Sequence, residues 1–308
     1  MSRYRLGINT CFAVKRWPEP ERWTEVVRDR LGLDLVQHSL DLVDLDAPQP
    51  LVDRQAAEVR SACERAGLDL HSTFTGLAAY SSNLLLHPDA DLRARAEAWY
   101  RKAIAFTAAA GARATGGHVG AYSAADWRDP MRREALGKEL RAALERLAAA
   151  ARLAGLQELY VENLAAAREP STMDGVLRLL TGGDGEHVPV VLCLDVGHQC
   201  APGAQGPDRD PYAWLERLGG RAPVVQLQQS DAAGDHHWPF TRARNAQGRI
   251  DADRVLAALD ASGAQGTVLL LEVIPPFEQD DDEVVEELRE SVAYWREALA
   301  RRMVSVAR

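Results

Sequence analysis

Val190-Val191-Leu192-Cys193-Leu194-Asp195-Val196-Gly197-His198 is an apolar run that ends in a carboxylate and then a histidine. Pro189 precedes it, Gly197 breaks it, and its start is β-branched. Such a run reads as a strand buried on both faces, as in a parallel sheet. A carboxylate at its end sits where the backbone leaves the core. Three other runs end the same way. Leu159-Tyr160-Val161 leads into Glu162-Asn163, and Val268-Leu269-Leu270-Leu271 leads into Glu272. Val224-Val225-Gln226-Leu227-Gln228-Gln229 ends in amides before Ser230-Asp231. Each of these strands delivers a polar, ligand-type side chain at its carboxyl end.

Working outward, short apolar runs alternate with long amphipathic segments rich in Ala, Leu, Arg and Glu. Strands are predicted at 5–10, 33–38, 68–74 and 112–119, before those ending at 162, 195, about 229 and 272. Helices are predicted at 20–31, 52–66, 88–110 and 130–153, from about 171, near 211–218, and at 251–261 and 281–300. Residues 75–87 and 230–248 read as long loops, and the first carries Gly76 and Asn83 and is placed to fold over a site. Eight strands and eight helices in alternation predict a single-domain (β/α)8 TIM barrel spanning 1–308, an α/β fold. A doubly wound open sheet would want a glycine-rich phosphate turn after the first strand, and Gly7-Ile8-Asn9-Thr10-Cys11 is not one.

The chain has 308 residues, of which 46% are hydrophobic, and a net charge of -9. That acidity argues against general binding to nucleic acid or anionic membranes. Cys11, Cys63, Cys193 and Cys200 have no zinc-ligand spacing and read as free, buried thiols. The start Met-Ser-Arg-Tyr-Arg-Leu has no apolar signal core and no run reaches membrane-spanning length, so a cytoplasmic protein is expected. The expected partner is a small molecule, and a homo-oligomer is compatible with all of this.

In a (β/α)8 barrel the chemistry sits at the carboxyl ends of the strands. Glu162, Asp195, Gln228 and Glu272 end the fifth to the eighth strands. Neighbouring strands lie roughly 5 Å apart, so these side chains can meet around one point. Taken singly, each carboxylate reads as a cap on the following turn. Taken together, buried acids repel unless a cation joins them. Oxygen ligands suit one hard or borderline divalent ion, Mn²⁺ first, with Mg²⁺ or Co²⁺ as alternatives.

Val161-Glu162-Asn163, Leu194-Asp195-Val196-Gly197-His198, Gln226-Leu227-Gln228 and Leu271-Glu272 resemble the xylose-isomerase-like sugar isomerase and epimerase superfamily, over essentially the whole chain. The resemblance implies one divalent metal bound by Glu162, Asp195, Gln228 and Glu272. Many members have histidine in the third place, and Gln226 and Gln229 are neighbours of the same type as Gln228. His237-Trp238-Pro239-Phe240-Thr241, Asn245-Ala246-Gln247-Gly248-Arg249-Ile250, Asp210-Pro211-Tyr212-Ala213-Trp214 and Glu290-Ser291-Val292-Ala293-Tyr294-Trp295 resemble erythrulose-phosphate 3-epimerases. This implies a four-carbon ketose phosphate, inversion at C3 through an enediolate, and Glu162 and Glu272 as the two catalytic bases. His198 would donate to the C2 oxygen.

A phosphate needs cations or backbone amides. Arg168, Arg16, His237 and Arg249 are the candidates, with Arg242 and Arg244 near them, and Asn9 is placed to bind a hydroxyl. Trp17, Phe74 and Trp238 are candidate apolar walls. Aldose–ketose isomerisation and epimerisation of a free ketose use the same enediolate and remain open. A metal-free sugar-binding protein is the non-enzymatic alternative. An apurinic endonuclease would want more histidines at strand ends and a basic face.

Overall fold

Parallel strands form wherever a short apolar run is followed by an amphipathic helix that returns the chain. The computed structural model describes residues 3–200 and 205–306. Its strands are β1 (Arg5–Asn9), β2 (Leu35–Ser39), β3 (Asp69–Phe74), β4 (Ala114–Gly117), β5 (Glu158–Glu162), β6 (Val190–Asp195), β7 (Val224–Leu227) and β8 (Val268–Leu271). The helices are α1 (Pro20–Glu25), α2 (Gln49–Ala66), α3 (Ala90–Ala110), α4 (Ala124–Arg128), α5 (Pro130–Leu153), α6 (Met173–Leu177), α7 (Pro211–Leu218), α8 (Arg242–Asn245), α9 (Ala252–Ala261) and α10 (Asp281–Val306). The strands run in the order β3-β2-β1-β8-β7-β6-β5-β4, all parallel. First and last strands pair, with Ile8 opposite Leu271.

The regular ladder stops between β3 and β4. Two backbone bonds cross that seam, Arg113 N to His71 O at 3.3 Å and Thr75 N to Gly116 O at 3.0 Å. The Thr73 and Thr115 hydroxyls add a third link at 2.6 Å. The result is a nearly closed (β/α)8 barrel. β4 is shorter than the sequence suggests because its end is Gly116-Gly117, both at positive φ. A Cβ on Gly116 would run into the Tyr160 backbone, so only glycine allows that approach.

Side chains two apart on a strand share a face. Leu35, Phe74, Ala114, Tyr160, Cys193, Val224, Val268 and Leu270 fill the barrel as one buried cluster. That phase puts Glu162 above Tyr160, Asp195 above Cys193, Gln226 above Val224 and Glu272 above Leu270, all inside. Apolar helix faces cover the outside of the strands. Several helices depart from expectation: α2 starts at Gln49, α10 runs on to Val306, and the short α4 and α8 were not expected. α1 ends at Glu25 and continues as a wider turn over Val26–Arg30, α3 starts at Ala90 because the Asp89 carboxylate caps it, and α6 has only five residues. No described helix is long and apolar enough to cross a membrane.

Candidate active site

The carboxyl ends of β5 to β8 bring three wholly buried carboxylates together. Glu162 and Asp195 are 0% exposed and Glu272 is 3% exposed. Asp195 does cap its own turn: Oδ1 accepts from Gly197 N at 2.6 Å and His198 N at 3.1 Å. Asn163 clamps the neighbouring strand ends, donating to Asp195 O and accepting from Asp195 N, both at 2.9 Å. Glu272 Oε1 accepts from Gln226 Nε2 at 2.8 Å and Asn9 Nδ2 at 3.1 Å. Gln37 Oε1 takes a second bond from each of those amides. Asn9, level with Glu272 at the end of β1, therefore braces it.

The other oxygens are left open. Glu162 Oε1 and Glu272 Oε2 are buried without a hydrogen-bond partner. Burial pushes the Glu162 carboxyl up to about 8, with His198 opposing and Asp195 adding to the rise. Burial, then the charges of Asp195 and Glu162, hold Glu272 well above the usual carboxylate range. His198 Nδ1 faces the Asn163 carbonyl at 2.6 Å, an acceptor only, so Nδ1 carries the proton and Nε2 points elsewhere. Nε2 lies 3.2 Å from Asp235 Oδ2. Burial disfavours the His198 cation, but Asp195, Asp235 and Glu162 outweigh it and raise its pKa well above normal.

This donor set fits a divalent cation. Three groups each place one ligand atom per residue within 4.8 Å of one another: Glu162, Asp195 and His198; Asp195, His237 and Glu272; and His198, Asp235 and His237. The cation would supply the charge that the unpartnered oxygens lack.

Gln228 lies at the expected place beside Asp195, but with the nitrogen end of its amide turned inward. Its Oε1 accepts from His237 N at 2.7 Å and Ser230 Oγ at 2.8 Å. A backbone N–H can only donate, so this bond fixes which end of the amide is which. Nε2 consequently faces both Asp195 oxygens at 3.2 Å, and Asp235 at 2.7 Å. Gln228 here presents a donor, not an oxygen ligand. His237, expected as a substrate cation, instead puts Nδ1 3.7 Å from Glu272 Oε2. Its backbone is held at φ +49, a strained value for a histidine.

Of the expected phosphate ligands only His237 comes beside these carboxylates, and Arg16, Arg168 and Arg249 make no bond to them. Arg16 is spent inside the protein. Its side chain is 5% exposed, ion-paired to Asp281, and donates to Gln279 O at 2.7 Å, Pro276 O at 3.1 Å and Phe277 O at 3.2 Å. It clasps the first loop to the last one. Arg168 is exposed on the rim and donates to Tyr122 O at 2.9 Å. Arg249 lies in a separate groove with Tyr212, Asn245 and Arg254, its guanidinium 3.4 Å from Arg209 O. Trp17 packs on Phe12, and Trp238 stacks on His236 with Arg244 over its ring, while Phe74 does line the mouth beside Glu272. Arg16→Ala should therefore act on stability. Losing three bonds from a charged donor to carbonyls of the last loop should cost on the order of 1–3 kcal/mol, read as a lower melting temperature with KM unchanged. A raised KM at unchanged stability would restore Arg16 as a substrate ligand.

Three residues were invisible as site residues in the sequence: Tyr80, His118 and Asp235. Tyr80 comes from the loop after β3 and donates to Glu162 Oε2 at 2.8 Å. Only that loop's length hinted at it. Asp235 sits in Gly234-Asp235-His236-His237, a polar cluster whose inward member no periodicity identifies.

A family profile described as xylose isomerase-like TIM barrel matches residues 28–298. The chain belongs to that family. A Rhodospirillum rubrum structure provisionally described as a xylose isomerase is 36% identical, with a TM-score of 0.88, covering 96% of this chain and 99% of that one. The D-erythrulose 1-phosphate 3-epimerase of Brucella abortus (strain 2308) is 29% identical over 296 residues, 94% of either chain. An L-ribulose 3-epimerase structure shares the fold, with a TM-score of 0.71 at 21% identity, covering 99% and 98% of the two chains. The relatives are named epimerases and isomerases, and the chain is an enzyme of the isomerase class.

Proposed function

We propose that the chain is a divalent-metal-dependent ketose-phosphate 3-epimerase acting on a tetrulose phosphate such as erythrulose phosphate. The carrying observation is the pair Glu162 and Glu272, both buried, each with one unpartnered oxygen and each grouped with Asp195. The Brucella relative's substrate supports the choice of a four-carbon ketose phosphate. Glu162, Asp195, Glu272 and His237 would hold the ion, and Gln228 could replace His237 only by turning its amide over. A divalent ion held there polarises the substrate carbonyl and offsets the negative charge that develops beside it. One glutamate takes the C3 proton, the C–H electron pair becomes the C2–C3 double bond of the enediolate, and the carbonyl π pair moves onto the C2 oxygen, the electrons shifting back when C3 is reprotonated. The other glutamic acid returns a proton to the opposite face of C3. No electron is gained or lost overall, and exchange with solvent resets the two carboxyls. Gln228, donating to both oxygens of Asp195, keeps that carboxylate from acting as a third base.

The test is proton NMR of tetrulose and pentulose phosphates in D₂O with enzyme and Mn²⁺. Deuterium should enter at C3 as the second epimer forms. Entry at C1 with an aldose product would replace epimerisation by aldose–ketose isomerisation. The phosphorylated ketoses should also have a far higher kcat/KM than the free sugars, and equal values would remove the phosphate.

A further inference from the structure

The loop after β3 is pinned at both ends. Asp41 accepts from Leu77 N at 2.6 Å and Ala78 N at 2.9 Å, and Gly76, at φ +76, has no room for a Cβ against that carboxylate. At the far end Asn83 Nδ2 donates to Ala121 O at 2.6 Å, and Leu85 N to Val119 O at 3.2 Å. Leu84, beside that second anchor, is held at φ +44, which strains a leucine. Between the anchors Tyr80 dips into the barrel mouth. Its ring stacks on His118 at 4.7 Å and 18°, and meets His198 edge-on at 6.3 Å.

Two facts make this arrangement unfinished. The cavity beside Tyr80, His237 and Glu272 has a volume of about 10 Å³. One water needs about 10–15 Å³, so with Tyr80 in place the gap between it and Glu272 has no room for a substrate carbon. His118, at the end of β4, is 0% exposed, and neither ring nitrogen has a hydrogen-bond partner. A buried imidazole with two unmet polar atoms is costly and is rarely left so without a ligand to serve.

We propose that Tyr80 holds the place of the substrate's carbon chain, and that His118 binds a substrate hydroxyl once Tyr80 is displaced. This rests on the functional reading above. The neutral imidazole offers one donor and one acceptor, the complement of a hydroxyl, which is both. Burial, then the charge of His198, lowers the His118 pKa to about 3, so the ring stays neutral and suits a hydroxyl better than a phosphate. The Tyr80 hydroxyl meanwhile occupies Glu162 Oε2, an oxygen the reaction needs. Substrate must win this seat from an intramolecular competitor, and apparent affinity falls by the fraction of time the seat is open.

The experiment uses full-length, Mn²⁺-loaded protein and dihydroxyacetone phosphate, a ketose phosphate with no stereocentre at C3. By calorimetric titration Tyr80→Ala should bind it roughly tenfold more tightly than wild type, as expected if the seat is open about a tenth of the time. Unchanged or weaker binding means Tyr80 is not a competitor, and overturns the proposal. His118→Leu should raise KM about tenfold, a factor matching one lost hydrogen bond. The same variant should melt no lower than wild type, because leucine removes two unpaired buried nitrogens. A His118→Leu protein that melts lower with KM unchanged would make His118 structural and overturn its assignment. The functional reading fails separately, if wild type exchanges no C3 proton of any ketose phosphate.

Discussion

Glu162→Gln and Glu272→Gln, each saturated with Mn²⁺, should lower the epimerisation rate by about a hundred- to ten-thousand-fold, the usual contribution of a positioned acid or base. One carboxylate on one face can only return the proton to the face it came from. Each variant should therefore still exchange the C3 proton of one epimer with D₂O, and the two variants should choose opposite epimers. Rate alone would not separate a base from a ligand, because both glutamates group with Asp195 in the candidate metal clusters. The exchange pattern does separate them. If both variants epimerise at near wild-type rates while metal-loaded, the glutamates are ligands only and the two-base mechanism is wrong.

Removing the ion should have the next largest effect. Chelation should abolish turnover and expose a pH-dependent cost. Glu162 is pushed up to about 8 chiefly by burial, against an unfolded value of about 4.3. A carboxyl raised on folding contributes its full stability below the unfolded pKa and loses it as pH rises through the folded one. Below pH 6.5 the buried His38, His71 and His118, all lowered on folding, work the other way, so the melting temperature of the chelated protein should fall between about pH 6.5 and pH 8. The rise on adding Mn²⁺ should be greatest at the alkaline end. Asp195→Ala should lose the Mn²⁺ response and the activity while remaining folded. A flat pH profile, or full metal occupancy in Asp195→Ala, would sink the site.

The barrel was legible because its strands are marked twice, by an apolar run and by the polar residue that ends it. Glu162, Asp195 and Glu272 were readable on the same ground, since a strand's period of two carries the inside face from Tyr160 to Glu162 and from Leu270 to Glu272. The role of Gln228 was not readable. It depends on the His237 N–H, which reaches its Oε1 only after a strained turn brings the chain back. The internal contacts of Arg16 were hidden for a related reason, as its acceptors lie more than 250 residues away. Tyr80 and His118 meet through a loop and a two-glycine strand end, neither of which has a periodic pattern to betray it.

The pairing of β8 with β1 has a consequence for how the protein is made. Chains emerge from the ribosome amino end first and fold in that order. Every carboxylate of the candidate metal groups lies on β5 or later, and Glu272 is braced by Asn9, 263 residues earlier. The amino-terminal half-barrel must therefore wait with one edge of β1 unpaired until β8 is released. The proposed ligand set of Glu162, Asp195, His237 and Glu272 is complete only once that last strand has docked, so nascent chains stalled before Glu272 should bind Mn²⁺ more weakly than the whole chain.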